Sequence, residues 1–138
     1  MGSAEDKVAI VTGGASLIGL ACARRFIAEG GRVVVGDRDA SLRAEVEGVL
    51  GDAGRYLTGD VTEDVYLDRL VAAASEDLGR LDCVVTATAI FDDEGYATSR
   101  ELWHRALDIN MIAAARLTSK AAPYLRDGGA VVYVCLLY

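Results

Sequence analysis

The sequence predicts an α/β fold, a doubly wound Rossmann-type parallel sheet of five strands in the order 3-2-1-4-5 with helices on both faces. Short apolar, β-branched runs alternate with segments of helical periodicity, which is typical of a parallel sheet covered on both sides. Glycines follow the first apolar run directly, and Asp37 ends the second. Since crossovers between parallel strands are right-handed, this succession gives the strand order stated above.

The first part of the chain predicts a strand, a glycine turn and a helix. The apolar run at 8–11 is typical of a buried parallel strand. Ile18, Cys22 and Phe26 recur at four-residue steps, so a helix follows the turn. Glycines at 30 and 31 end that helix. The next predicted elements are a strand at 32–36, a short polar helix at 40–50, a turn at 51–54 and a strand at 55–61.

The second part predicts two further helix–strand pairs. Thr62 is expected to cap a helix that extends to about Leu78. Thr98 or Ser99 is expected to open the longest helix, which extends to about Tyr124. The other predicted elements are a fourth strand at 81–89, a polar loop at 91–96, a turn at 127–129 and a fifth strand at 130–137.

The glycine turn and Asp37 indicate a dinucleotide-binding unit covering 1–138. Amide groups at a helix N-terminus can hold a pyrophosphate, and Gly13 and Gly19 let the backbone come close to it. Asp37 lies where an acid accepts the hydroxyls of a ribose. A 2′-phosphate would be repelled there, and Ser16 occupies a turn position where a basic residue would favour NADP. NAD is therefore expected over NADP, although Arg38 could offset part of the repulsion. The alternative is a strand–helix connection that merely needs glycine.

The motif Thr12, Gly13, Ile18 and Gly19 resembles the cofactor motif of the short-chain dehydrogenase/reductase family, Thr-Gly-x-x-x-Gly-Ile-Gly. The family's middle glycine is Leu17 here. Its side chain either obstructs the cofactor or points away and packs against the sheet. The resemblance covers nearly the whole chain and implies an NAD(H)-dependent oxidoreductase acting on a small alcohol or carbonyl substrate, with these glycines and Ile18 at the cofactor.

Three more residues are assigned to the cofactor by this resemblance. Asp60 and Val61 match the family's acid-plus-apolar pair that contacts the adenine, although a strand end that caps the following helix is an alternative. The family's Asn-Asn-Ala-Gly signature is Thr-Ala-Thr-Ala at 86–89. Thr86 keeps one donor and one acceptor, whereas Ala87 lacks the amide of the second asparagine.

Asn110 is the candidate catalytic residue, because it matches the asparagine that orders water near the family's catalytic lysine. It belongs to an apolar stripe with Trp103, Leu107 and Ala114, where a polar amide needs a partner. A structural asparagine that bonds a neighbouring backbone is the alternative. The single histidine, His104, is expected to be a solvated surface residue.

The rest of the family's catalytic machinery has no counterpart in this chain. The family's substrate-binding serine corresponds to Leu136, and neither lysine stands four residues after a tyrosine. Tyr96 and Arg100 have the spacing of the family's Tyr-x-x-x-Lys pair, but arginine keeps its proton. The chain is therefore expected to be inactive alone, either as the first part of a dehydrogenase or as a truncation that only binds nucleotide. The alternative is a catalytically dead nucleotide-binding or oligomerisation module.

The composition bears on partners and location. A net charge of −7 offers no basic surface for nucleic acid or an anionic membrane. No apolar run is long enough to span a membrane, and no signal peptide is expected. Cys22, Cys83 and Cys135 lack metal-binding or redox spacing and are expected to be reduced core residues of a cytoplasmic protein. The fifth strand would form an apolar sheet edge, so a homo-oligomer is expected.

Overall fold

The computed structural model of the protein describes residues 2–92 and 94–135. Its five-stranded sheet is parallel and has the order β3-β2-β1-β4-β5, which confirms the predicted fold class and strand order. The strands are β1 Val8–Thr12, β2 Arg32–Asp37, β3 Gly54–Thr58, β4 Leu81–Thr86 and β5 Leu125–Tyr133. The α-helices are α1 Leu17–Ala28, α2 Arg43–Leu50, α3 Asp64–Ala72, α4 Arg100–Leu107 and α5 Ala113–Ala121.

The central strand β1 packs apolar side chains on both faces of the sheet. Val8 and Ile10 belong to a core cluster that includes buried residues of α3 and α5. Ala9 and Val11 belong to a second cluster, on the side of α1 and α2. Because side chains alternate across a strand, two helical layers can cover this sheet.

The helices at 62–78 and 98–124 differ from the prediction in their starts and continuity. Thr62 does not cap α3, because α3 begins after Glu63 and the backbone N–H of Thr62 donates to Asp60 instead. Ser99 caps α4 by accepting from the N–H of Leu102 at 3.2 Å. Two π-helical segments interrupt the predicted regular helices: Ala73–Asp77 follows α3, and Asp108–Ile112 joins α4 to α5.

Three strands differ from the predicted bounds by more than one residue. β3 ends at Thr58 and β4 at Thr86, so the residues up to 61 and 89 form loops at the carboxyl edge of the sheet. The fifth strand begins at Leu125 rather than 130. It includes the predicted turn at 127–129 as an irregularity, because Leu81 pairs with Leu125 whereas Cys83 pairs with Ala130.

The predicted apolar stripe of the long helix does not face the core. Trp103 and Leu107 are 46% and 44% exposed, and Asn110 is exposed too. The buried residues of the segment are Ile109, Ala113, Leu117 and Ala121. The stripe interpretation was therefore wrong, because the helix is rotated so that its small and aliphatic residues pack on β4.

The outer strand leaves apolar surface exposed. Val132 is 47% exposed and pairs in register with Val85 of β4. On that side of the sheet a cavity of about 940 Å³ extends from α1 to β5 and includes Cys22, Cys83 and Ala130 in its lining. Cys22 and Cys83 are partly buried as expected, whereas Cys135 is exposed and is not a core residue. Among the described residues, no helix is both long and apolar enough to cross a lipid bilayer.

Candidate nucleotide-binding site

A cavity of about 400 Å³ lies at the carboxyl edge of the sheet. The strand order reverses between β1 and β4, and in such sheets a crevice opens outside the strand ends at this point. The cavity is lined by Gly13, Ser16, Asp37, Arg38, Gly59, Asp60, Val61, Thr62, Ala87, Thr88, Ala89, Ile90, His104, Arg105, Asp108 and Ile109. Its volume lies within the range of ligand pockets, about 300–1,000 Å³.

The glycine turn forms one wall and requires glycine for steric reasons. Gly13 has a φ of +66°, and a Cβ there would lie 2.6 Å from the carbonyl oxygen of Ala87. A Cβ on Gly19 would clash with the carbonyl of Gly13. The Ser16 hydroxyl donates to the Gly13 carbonyl at 2.5 Å and accepts from the N–H of Gly19 at 3.3 Å. Ser16 therefore caps α1 and holds the turn in a tight loop beside the cavity.

Asp37 joins the end of β2 to the glycine turn. Its Oδ2 atom accepts from the N–H of Ala15 at 3.1 Å, and its Oδ1 atom accepts from the N–H of Asp39 at 3.1 Å. The loop after β2 is held further by Tyr56, whose hydroxyl donates to the carbonyl of Asp39 at 2.7 Å. Burial raises the pKa of Tyr56 to about 12, so this donor keeps its proton. A carboxylate has about four lone-pair sites, so these two bonds do not exhaust the acceptor capacity of Asp37.

Asp60 supplies a second carboxylate to the lining of the cavity. Its Oδ1 atom accepts from the N–H and the hydroxyl of Thr62 at 2.9 and 2.8 Å. The backbone bond from Thr62, together with the charges of Arg38 and Arg105, keeps the pKa of Asp60 below its ordinary value. Val61 is buried next to it. The site therefore combines an ionised acid with an apolar wall.

The structure brings together five of the residues predicted for the cofactor: Gly13, Ser16, Asp37, Asp60 and Val61. The other three do not line the cavity. Ile18 is 52% exposed and lines the other cavity, which extends from α1 to β5. Gly19 is buried beneath the turn. Thr86 is buried within β4 and lines a separate small cavity.

The predicted catalytic residue Asn110 does not line the cavity, but its side chain is hydrogen-bonded to a residue of the cavity wall. Its carboxamide accepts from the N–H of Ile90 at 2.8 Å and donates to the carbonyl of Ile90 at 2.8 Å. The amide thus bonds a neighbouring backbone, as the structural alternative expected. Leu136, at the position of the family's serine, lies outside the described residues.

Leu17 is 90% exposed and lines the grooves beside α1. It is not among the residues that line the cavity of about 400 Å³ at the carboxyl edge of the sheet. With so much of its surface in solvent, it does not pack against the sheet either.

Sequence reasoning missed the wall that α4 and the π-helical segment after it contribute. His104, Arg105 and Asp108 line the cavity, although His104 was expected to be a solvated surface residue. Its side chain is exposed and still borders the site. One signal was available, because any helix that follows β4 begins at the same sheet edge as the glycine turn.

Comparisons with known proteins point in one direction. The family model described as enoyl-(acyl carrier protein) reductase matches residues 13–137. Galactitol 2-dehydrogenase of Agrobacterium fabrum is 36% identical over 108 residues, covering 78% of this chain and 42% of the relative. L-fucose dehydrogenase of Rattus norvegicus is 34% identical over 135 residues, covering 91% of this chain and 47% of the relative. The chain spans about half the length of the curated relatives it matches.

Solved structures agree with these sequence matches. A short-chain dehydrogenase/reductase from Brucella melitensis, titled glucose/ribitol dehydrogenase, superposes with a TM-score of 0.87 at 28% identity. It is matched over 94% of this chain and 56% of its own length. A short-chain dehydrogenase/reductase from Serratia marcescens gives a TM-score of 0.86 at 27% identity, with 94% and 55% covered.

Proposed function

The chain belongs to the short-chain dehydrogenase/reductase family of oxidoreductases, and we propose that it forms the NAD(H)-binding part of an enzyme that interconverts alcohols and carbonyls. The observation that carries the proposal is the cavity at the strand-order reversal. One wall of that cavity is the glycine turn, beside which Ser16 caps α1, and two of its acids, Asp37 and Asp60, follow different strand ends.

The phosphate end of the cofactor fits the turn between β1 and α1. Gly13 leaves no room for a Cβ, so its backbone forms the wall directly. The positive end of the α1 dipole lies at the same place, and it favours a diphosphate there. Gly13 and Ser16 would hold this part of the cofactor.

The adenosine end fits the side formed by Asp37, Asp60 and Val61. Asp37 is fixed by two backbone N–H groups and keeps acceptor capacity for ribose hydroxyls. A carboxylate at this position disfavours a 2′-phosphate, so the proposal names NAD over NADP. Arg38 and Arg105 line the same cavity and partly balance the negative charge.

The chemistry of the bound cofactor would be hydride transfer through its nicotinamide ring. The described part of the chain would bind and orient the cofactor. Asn110 would hold the cavity wall at Ile90 in place. The family resemblance implies a tyrosine and a lysine as acid/base, and this sequence lacks that pair. We therefore expect cofactor binding without turnover from this chain alone. Small polyols and sugars are the substrates to test, given the names of the relatives.

Titration calorimetry with NAD and NADP tests the proposal, and absorbance at 340 nm with alcohol substrates tests for turnover. Gly13→Ala should abolish binding, because the new Cβ would push against Ala87. Gly51→Ala is the matched control: Gly51 has a φ of +56° and nothing within 4 Å of an added Cβ. Gly51→Ala should carry the same strain of a side chain at positive φ, and it should bind NAD with wild-type affinity. No NAD binding by the folded wild-type chain would overturn the proposal.

The second candidate function is a catalytically dead nucleotide-binding or oligomerisation module. It is favoured by the exposed apolar end of strand β5, where Val132 is 47% and Tyr133 52% exposed. Such edges pair with other chains. A homo-oligomer that binds NAD but shows no turnover, even in the full-length context, would support this candidate. The cysteine spacing supports a cytoplasmic location under either proposal.

A further inference from the structure

Each of the two acids at the edge of the sheet follows a glycine, and both glycines pack against one tyrosine. Gly36 precedes Asp37 at the end of β2, and Gly59 precedes Asp60 in the loop after β3. A Cβ on Gly36 would lie 2.6 Å from the hydroxyl oxygen of Tyr66, and a Cβ on Gly59 would lie 2.2 Å from its ring atom Cδ2. The tyrosine therefore packs on the backbone directly before both acids.

The hydroxyl of Tyr66 is fixed where β2 and β3 pair. Tyr66 belongs to α3 and is 3% exposed, and its hydroxyl donates to the carbonyl of Leu57 at 2.7 Å. Leu57 lies in β3 and pairs in register with Gly36 of β2. Burial and the charge of Asp37 raise the pKa of Tyr66, so the hydroxyl keeps its proton and remains a donor.

The two glycine–acid pairs are also linked to each other directly. The N–H of Gly59 donates to the carbonyl of Asp37 at 3.0 Å. Because closely packed groups move together, loss of the tyrosine ring beside this bond should weaken it. Tyr66 does not line the cavity at the carboxyl edge, whereas Asp37, Gly59 and Asp60 do. Any effect of Tyr66 on a ligand therefore passes through these three residues.

We propose that Tyr66 is a positioning residue that sets the distance between the carboxylates of Asp37 and Asp60. This inference rests on the proposed function and deepens it. The ring occupies the space that two missing Cβ atoms leave, and the hydroxyl satisfies a carbonyl of β3. A smaller side chain would leave a void there, and the ends of β2 and β3 could shift into it. The two acids would then no longer be held at the spacing that one ligand requires.

The alternative is that Tyr66 only contributes packing to the core. It belongs to a buried cluster with Leu67, Leu70 and Val71 of the same helix, and truncation of any of them should lower the stability of the fold. The positioning role predicts in addition a loss of ligand affinity and a local loosening at Gly59. Val71 is 4% exposed and is not among the nearest neighbours of either glycine. Val71→Ala is therefore the matched control for packing alone.

Tyr66→Phe removes the hydroxyl, and Tyr66→Leu removes the ring as well. Calorimetry with NAD, at a temperature where all variants are folded, measures affinity, and hydrogen exchange at the Gly59 amide without ligand measures the link between the two acids. We expect Tyr66→Phe to weaken NAD binding about three- to tenfold, as the loss of one hydrogen bond would, and Tyr66→Leu to weaken it further. The Gly59 amide should exchange faster in both variants. Val71→Ala should lower the unfolding temperature and change neither NAD affinity nor Gly59 exchange.

Three results would overturn the inference: wild-type NAD affinity in Tyr66→Leu, unchanged Gly59 exchange in both Tyr66 variants, or an equal loss of affinity in Val71→Ala, which would make the loss a consequence of stability. If Tyr66→Leu fails to fold, Tyr66→Phe decides by the same two measurements. A folded wild-type chain that binds no NAD would reject the proposed function itself. The exchange of the Gly59 amide would still test Tyr66, which separates the two failures.

Discussion

The side chain of Asn110 satisfies both backbone polar groups of Ile90, accepting from its N–H at 2.8 Å and donating to its carbonyl at 2.8 Å. Asn110 lies in the π-helical segment between α4 and α5, and Ile90 lies in the loop after β4. The pair therefore joins the π-helical segment to the wall of the cavity at the carboxyl edge of the sheet. We infer that Asn110 positions this wall.

Replacing Asn110 by alanine should destabilise the fold by about 1–2 kcal/mol, because two neutral hydrogen bonds are lost. NAD affinity should fall as the loop at Ile90 becomes mobile. Thermal unfolding and hydrogen exchange at Ile90 measure the two effects. Ser119→Ala, at an exposed position of α5, is the control and should change neither. Unaltered exchange at Ile90 in the Asn110 variant would contradict the positioning role.

The substitution Asp37→Asn should weaken NAD binding about tenfold, since a charged acceptor for the ribose is lost. The preference for NAD over NADP should shrink in parallel, because the repulsion of a 2′-phosphate disappears. Calorimetry with both cofactors measures the change. Asp52→Asn, at an exposed site after α2, alters the net charge equally and should leave both affinities as they are. An unaltered NAD affinity in Asp37→Asn would remove Asp37 from the ribose site.

Leu17→Gly restores the family's glycine and should change NAD affinity by less than about twofold. The reason is that the isobutyl group is 90% exposed and lies outside the cavity. The free energy of unfolding should fall by about 0.5–1 kcal/mol, which is the cost of glycine in a helix relative to better helix formers. Leu17→Ala removes the isobutyl group without that cost and serves as the control. Markedly tighter NAD binding in both variants would mean that Leu17 obstructs the cofactor in solution.

The sequence predicted the sheet order and the acids at its edge because strand patterning and turn glycines are local signals. Asp37 and Asp60 could be placed without knowing any contact. The fold also places the start of the helix after β4 at this edge, but the sequence does not show that His104 and Arg105 reach the cavity, since that depends on how the loop after β4 directs the start of α4. The face that the long helix buries was also mispredicted, because Trp103 and Leu107 look like core residues in the sequence alone.

Asp82 should make the fold sensitive to acid. It is buried at the start of β4 and accepts from the N–H of Val8 at 2.8 Å and from Arg80 at 2.8 and 2.6 Å. Burial acts to raise the pKa of Asp82, but the bonds from Arg80 and Val8 outweigh it, and the pKa lies below its ordinary value. The ionised form thus stabilises the fold above the unfolded-state pKa of about 3.9, and this contribution is lost as pH falls through the lower folded-state value.

The test variant for this acid sensitivity is Asp82→Asn, with denaturant unfolding measured between pH 2 and 7. The free energy of unfolding of the variant should be about 1–3 kcal/mol lower at neutral pH. It should also fall less steeply than that of the wild type as the pH is lowered. Asp68→Asn breaks an exposed ion pair with Lys120 and should cost less than about 1 kcal/mol. If the free energy of unfolding falls equally steeply with decreasing pH in wild type and Asp82→Asn, Asp82 is not the source of the acid sensitivity.

Val132→Lys should reduce self-association through β5. Val132 is 47% exposed, pairs in register with Val85 of β4 and belongs to the outer strand of the sheet. A lysine on an edge strand opposes pairing with a second chain, because its charge would have to be buried. Sedimentation velocity over a range of concentrations should show wild type associating and the variant remaining mostly monomeric. Val65→Lys adds the same charge at an exposed position of α3, so equal loss of association in both variants would implicate net charge and not the strand edge.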